Sequence, residues 1–229
     1  MRVLRHLFLS LIFLAPFKAA ACDLALVLAV DVSGSVDSGE YRAQMDGLAA
    51  ALRDGIVAES LVRGRAQVML LQWSGSARQE VTLPWTEVQS FAGLEALAQR
   101  IEEAPRPWRN YSTAVGEALA LGLAQFGAVP GCRRRVIDIS GDGPSNEGAE
   151  PRTLQPALRA ANVTVNAIAI EQSEPDLTAY FYENVILGEG AFVVTAASFA
   201  DYPEGIRKKL LREVARQTAA LPAAAGSLR

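Results

Sequence analysis

From Leu24 to Val30 every residue is aliphatic, and the run closes on Asp31-Val32-Ser33-Gly34-Ser35. Seven apolar residues ending in a turn signal predict a strand buried on both faces rather than a helix. The pattern then changes period. Asp37 and Glu40 have capping-box spacing, and Tyr41, Met45, Leu48, Ala49 and Leu52 recur at helical intervals. Gln67 to Trp73 predicts a second strand. Val81 to Trp85, cut by Pro84, predicts a short edge strand, because proline cannot donate to a ladder. Phe91 to Glu103 and Ala114 to Phe126 read as helices, separated by a loop in which Pro105 and Pro107 stop either helix from continuing. Further strands are predicted over Val136 to Ser140, Val163 to Ile170 and Phe192 to Thr195, with helices over Thr153 to Ala161 and Asp176 to Asn184. A last helix, about Pro203 to Arg216, buries Ile206, Leu210, Leu211 and Val214 and leaves Arg207, Lys208, Lys209 and Arg212 as a solvated face. Strands alternating with helices require crossover connections, hence a mainly parallel sheet. The expected fold is a doubly wound α/β domain with a six-stranded sheet and helices on both faces. Ligands of such sheets bind at the carboxyl ends of the strands, where Asp31 and Asp142 fall.

The first residues follow another logic. Arg2 and Arg5 precede the apolar run Leu7 to Leu14, and Ala19-Ala20-Ala21 follows it, which is the order of a secretory signal. Pro16 and Lys18 interrupt the run well short of the roughly 20 residues a membrane span needs. The chain therefore divides into a signal peptide (1–21), one domain (22–217) and an Ala-rich tail (218–229) expected to be disordered. Loss of the signal leaves 19 basic against 25 acidic residues, a net charge of −6. That balance disfavours nucleic acid and acidic membranes as partners. The one histidine, His6, leaves with the signal. Without an imidazole the mature chain has no serine-hydrolase triad of the histidine kind and none of the common catalytic zinc sites.

Cys22 stands nine positions before Asp31 and Cys132 ten before Asp142. If those two strands are neighbours, the cysteines share a level at the opposite edge of the sheet, and in an oxidising compartment they would form a disulfide. A lipid-modified Cys22 is the alternative, although Ala19 stands where lipoprotein signals usually have a leucine-like residue.

The candidate chemistry lies at the strand ends. Asp31, Ser33 and Ser35 put a carboxylate and two hydroxyls at alternate positions of a turn that Gly34 lets curve tightly. Hard divalent cations take oxygen ligands and keep several waters, so a few oxygens from separate loops suffice. Ser112-Thr113 opens a helix after the aromatic loop, and Ser140-Gly141-Asp142-Gly143 ends the fourth strand. Each also has a purely structural reading, Thr113 as a helix cap and Gly141-Asp142-Gly143 as a turn.

Together these stretches resemble the metal-ion-dependent adhesion site of von Willebrand factor A domains. More narrowly, Leu26 to Val36, Tyr41, Gln72-Trp73-Ser74 and Val136 to Gly143 resemble a bacterial family of exported A-domain-like proteins of unestablished function. The resemblance implies one bound Mg²⁺ (or Mn²⁺ or Ca²⁺), touched by Ser33, Ser35 and Thr113, with Asp31 and Asp142 acting directly or through water. Ser112 competes with Thr113, since Tyr111-Ser112 replaces the glycine often found before the threonine. It also implies a protein partner whose acidic side chain completes the coordination. Trp108, Arg109, Tyr111, Asn146 and Glu147 would form the rim, with Trp, Tyr and Arg as anchors, unless Trp108 folds back over the core. Taken alone, the chain is expected to be monomeric, exported to the periplasm or secreted, and not an enzyme. The catalytic alternative is a Mg²⁺-dependent phosphatase-like hydrolase of the haloacid-dehalogenase type, which also has an aspartate after its first strand. Such sites use Asp-x-Asp, and here Ser33 occupies the second position with no clear catalytic lysine beside it. A dinucleotide site is excluded, because no Gly-x-Gly-x-x-Gly follows the first strand.

Overall fold

The computed structural model describes residues 22–219. The segment expected to be a signal peptide (1–21) and the expected tail beyond Ala219 lie outside the described residues. The chain runs β1 (Leu24–Asp31), α1 (Ser38–Leu52), α2 (Gly55–Arg63), β2 (Gln67–Trp73), β3 (Gln79–Glu87), α3 (Phe91–Glu102), α4 (Val115–Gln125), β4 (Arg134–Gly141), α5 (Gln155–Ala160), β5 (Val163–Ile170), α6 (Leu177–Asn184), β6 (Val193–Ala196) and α7 (Tyr202–Ala219). The six strands form one sheet in the order β3-β2-β1-β4-β5-β6, parallel throughout except for β3, which runs antiparallel on its edge.

The aliphatic run of β1 makes it the centre of this sheet. Side chains alternate across a strand, and here Leu24, Leu26, Leu28 and Val30 enter one core with α1, α2, α3 and α7. Ala25, Val27 and Ala29 enter the other, with α4, α5 and α6. The predicted capping box is present: Glu40 N donates to Asp37 Oδ1 at 2.8 Å and Asp37 N to Glu40 Oε2 at 2.7 Å.

Three expectations need correction. Helix α2 occupies a stretch for which the pattern predicts no element; Asp54 caps it by accepting from the amides of Ile56 and Val57, and it buries Val57, Ala58 and Leu61. Strand β3 is nine residues long, longer than the stretch around Pro84 suggested. The ladder accommodates the proline by shifting register opposite Val68 to Leu71. Lys209 is not on a solvated face: it is fully buried, its Nζ 2.5 Å from Asp138 Oδ1. The α7 backbone extends to Ala219, the last residue described.

The strand registers also settle where the cysteines lie. Leu24 pairs with Arg134, so Cys22 and Cys132, each two residues earlier, stand side by side at the amino edge of β1 and β4. They are joined in a disulfide.

Candidate metal site and its neighbours

Parallel pairing of β1 with β4 brings Asp31 and Asp142 together at the carboxyl edge of the sheet. Asp31 ends β1 and is fully buried. Its Oδ1 accepts from the Ser33 amide at 2.7 Å, which curls the following turn around the carboxylate. Its Oδ2 is buried with no hydrogen-bond partner, and lies 3.3 Å from where a Cβ on Gly141 would stand. Ser33 Oγ is 3.3 Å from Ser35 Oγ, and Ser35 Oγ donates to Asp142 Oδ1 at 2.8 Å. Asp31, Ser33, Ser35 and Asp142 thus form one continuous cluster of oxygens.

Thr113 reaches this face by a different route. The amide of Gly34 donates to the Tyr111 carbonyl at 2.8 Å, and a side chain at Gly34 would press on that carbonyl and on Asn110 Cα. The loop before α4 is therefore stitched to the serine turn. Thr113 is buried, its amide donating to Asn146 Oδ1 and its carbonyl accepting the Asn146 amide, both at 2.9 Å. Its side chain does not cap α4, whose cap residue is Ala114 with no side-chain bond. Ser112 is exposed, its carbonyl accepting from Ser74 Oγ at 3.0 Å. Of the two hydroxyl residues, Thr113 is the one pinned in place.

The rim residues divide. Arg109 and Tyr111 are exposed, and Arg78 lies 4.3 Å over the Tyr111 ring. Asn146 holds Thr113, and Glu147 Oε2 accepts from the Ser76 amide at 3.1 Å. Trp108 is half-buried and packs against the core that β1 shares with α1, α2, α3 and α7.

Two contributors, Arg106 and Gln44, carry no role read from the sequence, and Ser74 carries none beyond its place in the resemblance. Arg106 Nη2 donates to the carbonyls of Val32 and Ser33 at 3.0 and 2.8 Å, fastening the serine turn from outside. Gln44, fully buried on α1, donates to the Asp31 carbonyl at 3.0 Å and accepts from Ser140 Oγ at 3.3 Å. Ser74 ties β2 to the threonine loop. The available signals were a polar residue on the apolar stripe of α1 and an arginine between two prolines; neither indicates its target.

The electrostatics match a cation site. Burial, then repulsion from Asp142, pushes the Asp31 carboxyl up to about 7. Burial first, with Glu40 and Glu174 adding repulsion, also raises Asp142. Two carboxylates that resist ionisation, one with an orphaned oxygen, beside two hydroxyls form a donor set suited to a hard divalent cation. Among the described residues no group of three or more His, Cys, Asp or Glu side chains is placed to hold a metal, so the candidate set is rich in hydroxyls.

A stability prediction follows. The folded state holds the Asp31 proton more tightly than the unfolded chain, so without a cation stability falls as pH rises from about 4 to about 7. A cation on the carboxylate removes that fall. Thermal melts in EDTA at pH 5 and pH 8, repeated with Mg²⁺, check this, the Mg²⁺ gain being larger at pH 8.

Known structures share the architecture. Proximal thread matrix protein 1 from the mussel byssus superposes with a TM-score of 0.65 at 22% identity, over 86% of this chain and 49% of that one. A form described as having a zinc-occupied MIDAS motif gives a TM-score of 0.61 at 22% identity, over 87% and 49%. A von Willebrand factor type A protein from Catenulispora acidiphila gives 0.55 at 19%, over 84% and 43%. The pilus adhesin SpaC from Lactobacillus rhamnosus GG gives 0.57 at 14%, over 84% and 31%. The chain thus spans half or less of these proteins' length, and the likeness establishes a von Willebrand factor A-type fold. Among curated proteins none matches the sequence. A family model described as protein of unknown function (DUF1194) matches residues 21–218, and the chain belongs to that family.

Proposed function

We propose that the protein is an exported binding module that holds one divalent cation, Mg²⁺ by preference with Mn²⁺ or Ca²⁺ as substitutes, and uses it to capture a protein partner through an acidic side chain. The observation that carries this reading is the buried, unpartnered Asp31 Oδ2 beside Asp142 and the Ser33 and Ser35 hydroxyls. An orphaned buried carboxylate oxygen is costly unless something positive meets it.

Asp31, Ser33, Ser35, Thr113 and Asp142 are the residues that would hold the ion, which when bound would supply a positive charge able to accept a partner's carboxylate. The chain's own part is to fix the oxygens. Ser33's amide orients Asp31, Arg106 holds the turn, and Asn146 holds Thr113. Arg109, Tyr111, Asn146 and Glu147 offer a polar rim, with Trp108 partly withdrawn into the core.

Support for a binding role comes from the neighbours: one is a pilus adhesin, another a thread matrix protein, and one holds zinc in its MIDAS motif. Support for export comes from the amino-terminal charge and apolar pattern and from the Cys22–Cys132 disulfide, a bond typical of oxidising compartments. Among the described residues no helix is long and apolar enough to cross a membrane.

Affinity capture from envelope extract tests the reading. A partner should be retained in Mg²⁺, released by EDTA and missed by Asp31→Ala. Retention that ignores both EDTA and the substitution would contradict it.

A further inference from the structure

The charges around the site are sorted by the sheet order. On the β2 side of Asp31 the loop before α4 brings Arg106 against the serine turn and Arg109 next to it, with Asn110 touching Gly34. Farther the same way, at the turn joining β2 to β3, Arg78 lies over the exposed Tyr111 ring. The carboxylates on this side, Asp37 and Glu147, each accept a backbone amide, from Glu40 and Ser76. On the other side the chain leaving β5 carries Glu171 and Glu174. Gln172 donates to Glu40 Oε1 at 2.6 Å, so that carboxylate, whose Oε2 accepts from the Asp37 amide at 2.7 Å, reaches from the start of α1 to this flank. Gly141 pairs with Ala169, so the chain that leaves β5 at Ile170 emerges beside Asp142. Since β1 and β4 stand between β2 and β5, guanidiniums and carboxylates flank the candidate metal position from opposite directions.

We propose that this polarity sets the direction in which a partner lies across the site: a segment whose central carboxylate faces the cation carries acidic residues toward Arg109 and Arg78 and basic residues toward Glu174 and Glu40. The inference rests on the cation-dependent binding reading above and adds the chemistry and orientation of the ligand. Fields from exposed charges act mainly on encounter and register, and like-charge juxtaposition excludes the reversed alignment.

Arg109 and Glu174 are exposed and, among the described residues, neither side chain holds the fold through a hydrogen bond, so they are the positions to change. The probes are four synthetic peptides with a central glutamate: Asp-Asp-Gly-Glu-Gly-Lys-Lys, its reverse Lys-Lys-Gly-Glu-Gly-Asp-Asp, and versions with both flanks acidic or both basic. Binding is measured in Mg²⁺ at low ionic strength and again in EDTA. One of the two mixed-charge peptides should bind best. Arg109→Glu and Glu174→Lys should each weaken it by about two- to fivefold, as expected of screened surface pairs. The double variant should prefer the reversed peptide, and about 0.5 M salt should erase all these differences. Mg²⁺-dependent binding that is indifferent to flank charge, or a preference that survives the double substitution, overturns the inference and leaves the cation-dependent reading standing. Binding of no peptide in Mg²⁺ counts against that reading itself and removes this one with it.

Discussion

Lys209→Met should destabilise the protein by about 3–5 kcal/mol, the usual cost of leaving a buried charge without its partner. Lys209 and Asp138 are both shut away from water, their side chains 0% and 1% exposed. Burial pushes the lysine down and the aspartate up, and in each case the partner charge is the main opposing influence. The pair fastens α7 to β4 beside a second buried charge: Glu213 meets Arg134 and also accepts from Asn166 Nδ2. Removing the ammonium alone strands the Asp138 carboxylate. Removing both, as Lys209→Met with Asp138→Leu, substitutes apolar surface for two desolvated ions and should recover most of the loss. Chemical denaturation of the single and double variants checks this. A double variant no more stable than either single one would show that the pair is not the unit that matters.

Loss of the Cys22–Cys132 disulfide should have an effect of similar size. The two cysteines are separated by 110 residues, and closing so long a loop restricts the unfolded chain by an amount worth about 4–5 kcal/mol. For a domain of this size that corresponds to a melting temperature lower by roughly 10 °C. The bond also clamps the beginning of β1 to that of β4, the strands whose far ends carry Asp31 and Asp142. Cys22→Ser with Cys132→Ser, melted beside the oxidised protein, measures it. An unchanged melt would mean that the register of β1 and β4 is held by the sheet alone.

Much of this architecture was legible because its central strands are unambiguous. The bounds predicted for the second and fifth strands, Gln67 to Trp73 and Val163 to Ile170, coincide with β2 and β5, since uninterrupted buried runs leave little choice of period. The nine- and ten-residue spacings from cysteine to aspartate carried the register of β1 against β4, and with it the disulfide. The residues of the oxygen cluster were readable for the same reason: Asp31 and Asp142 end strands, and strand ends are placed by the sheet.

What escaped depends on contacts between distant residues. Helix α2 was hidden by Arg53-Asp54-Gly55, which reads as a turn, and by Ile56, an apolar residue that is 64% exposed. Lys209 has the helical position of a core residue but the chemistry of a surface one; only the opposing Asp138 explains its burial. Arg106 acts through backbone carbonyls that carry no side-chain signature. Trp108 could face solvent or core, and the two prolines that bound its loop say nothing about which.

The proposed function depends on one cation held among Asp31, Ser33, Ser35, Thr113 and Asp142, and calorimetric titration of Mg²⁺ into metal-free protein decides whether it binds there. The account predicts a single saturable site, lost in Asp31→Ala and in Ser33→Ala with Ser35→Ala. A ligand that binds only the folded state must also stabilise it, by about 2.7 kcal/mol at a hundredfold excess over the dissociation constant. Absence of binding to the unaltered protein, or binding unchanged by these substitutions, would contradict the account.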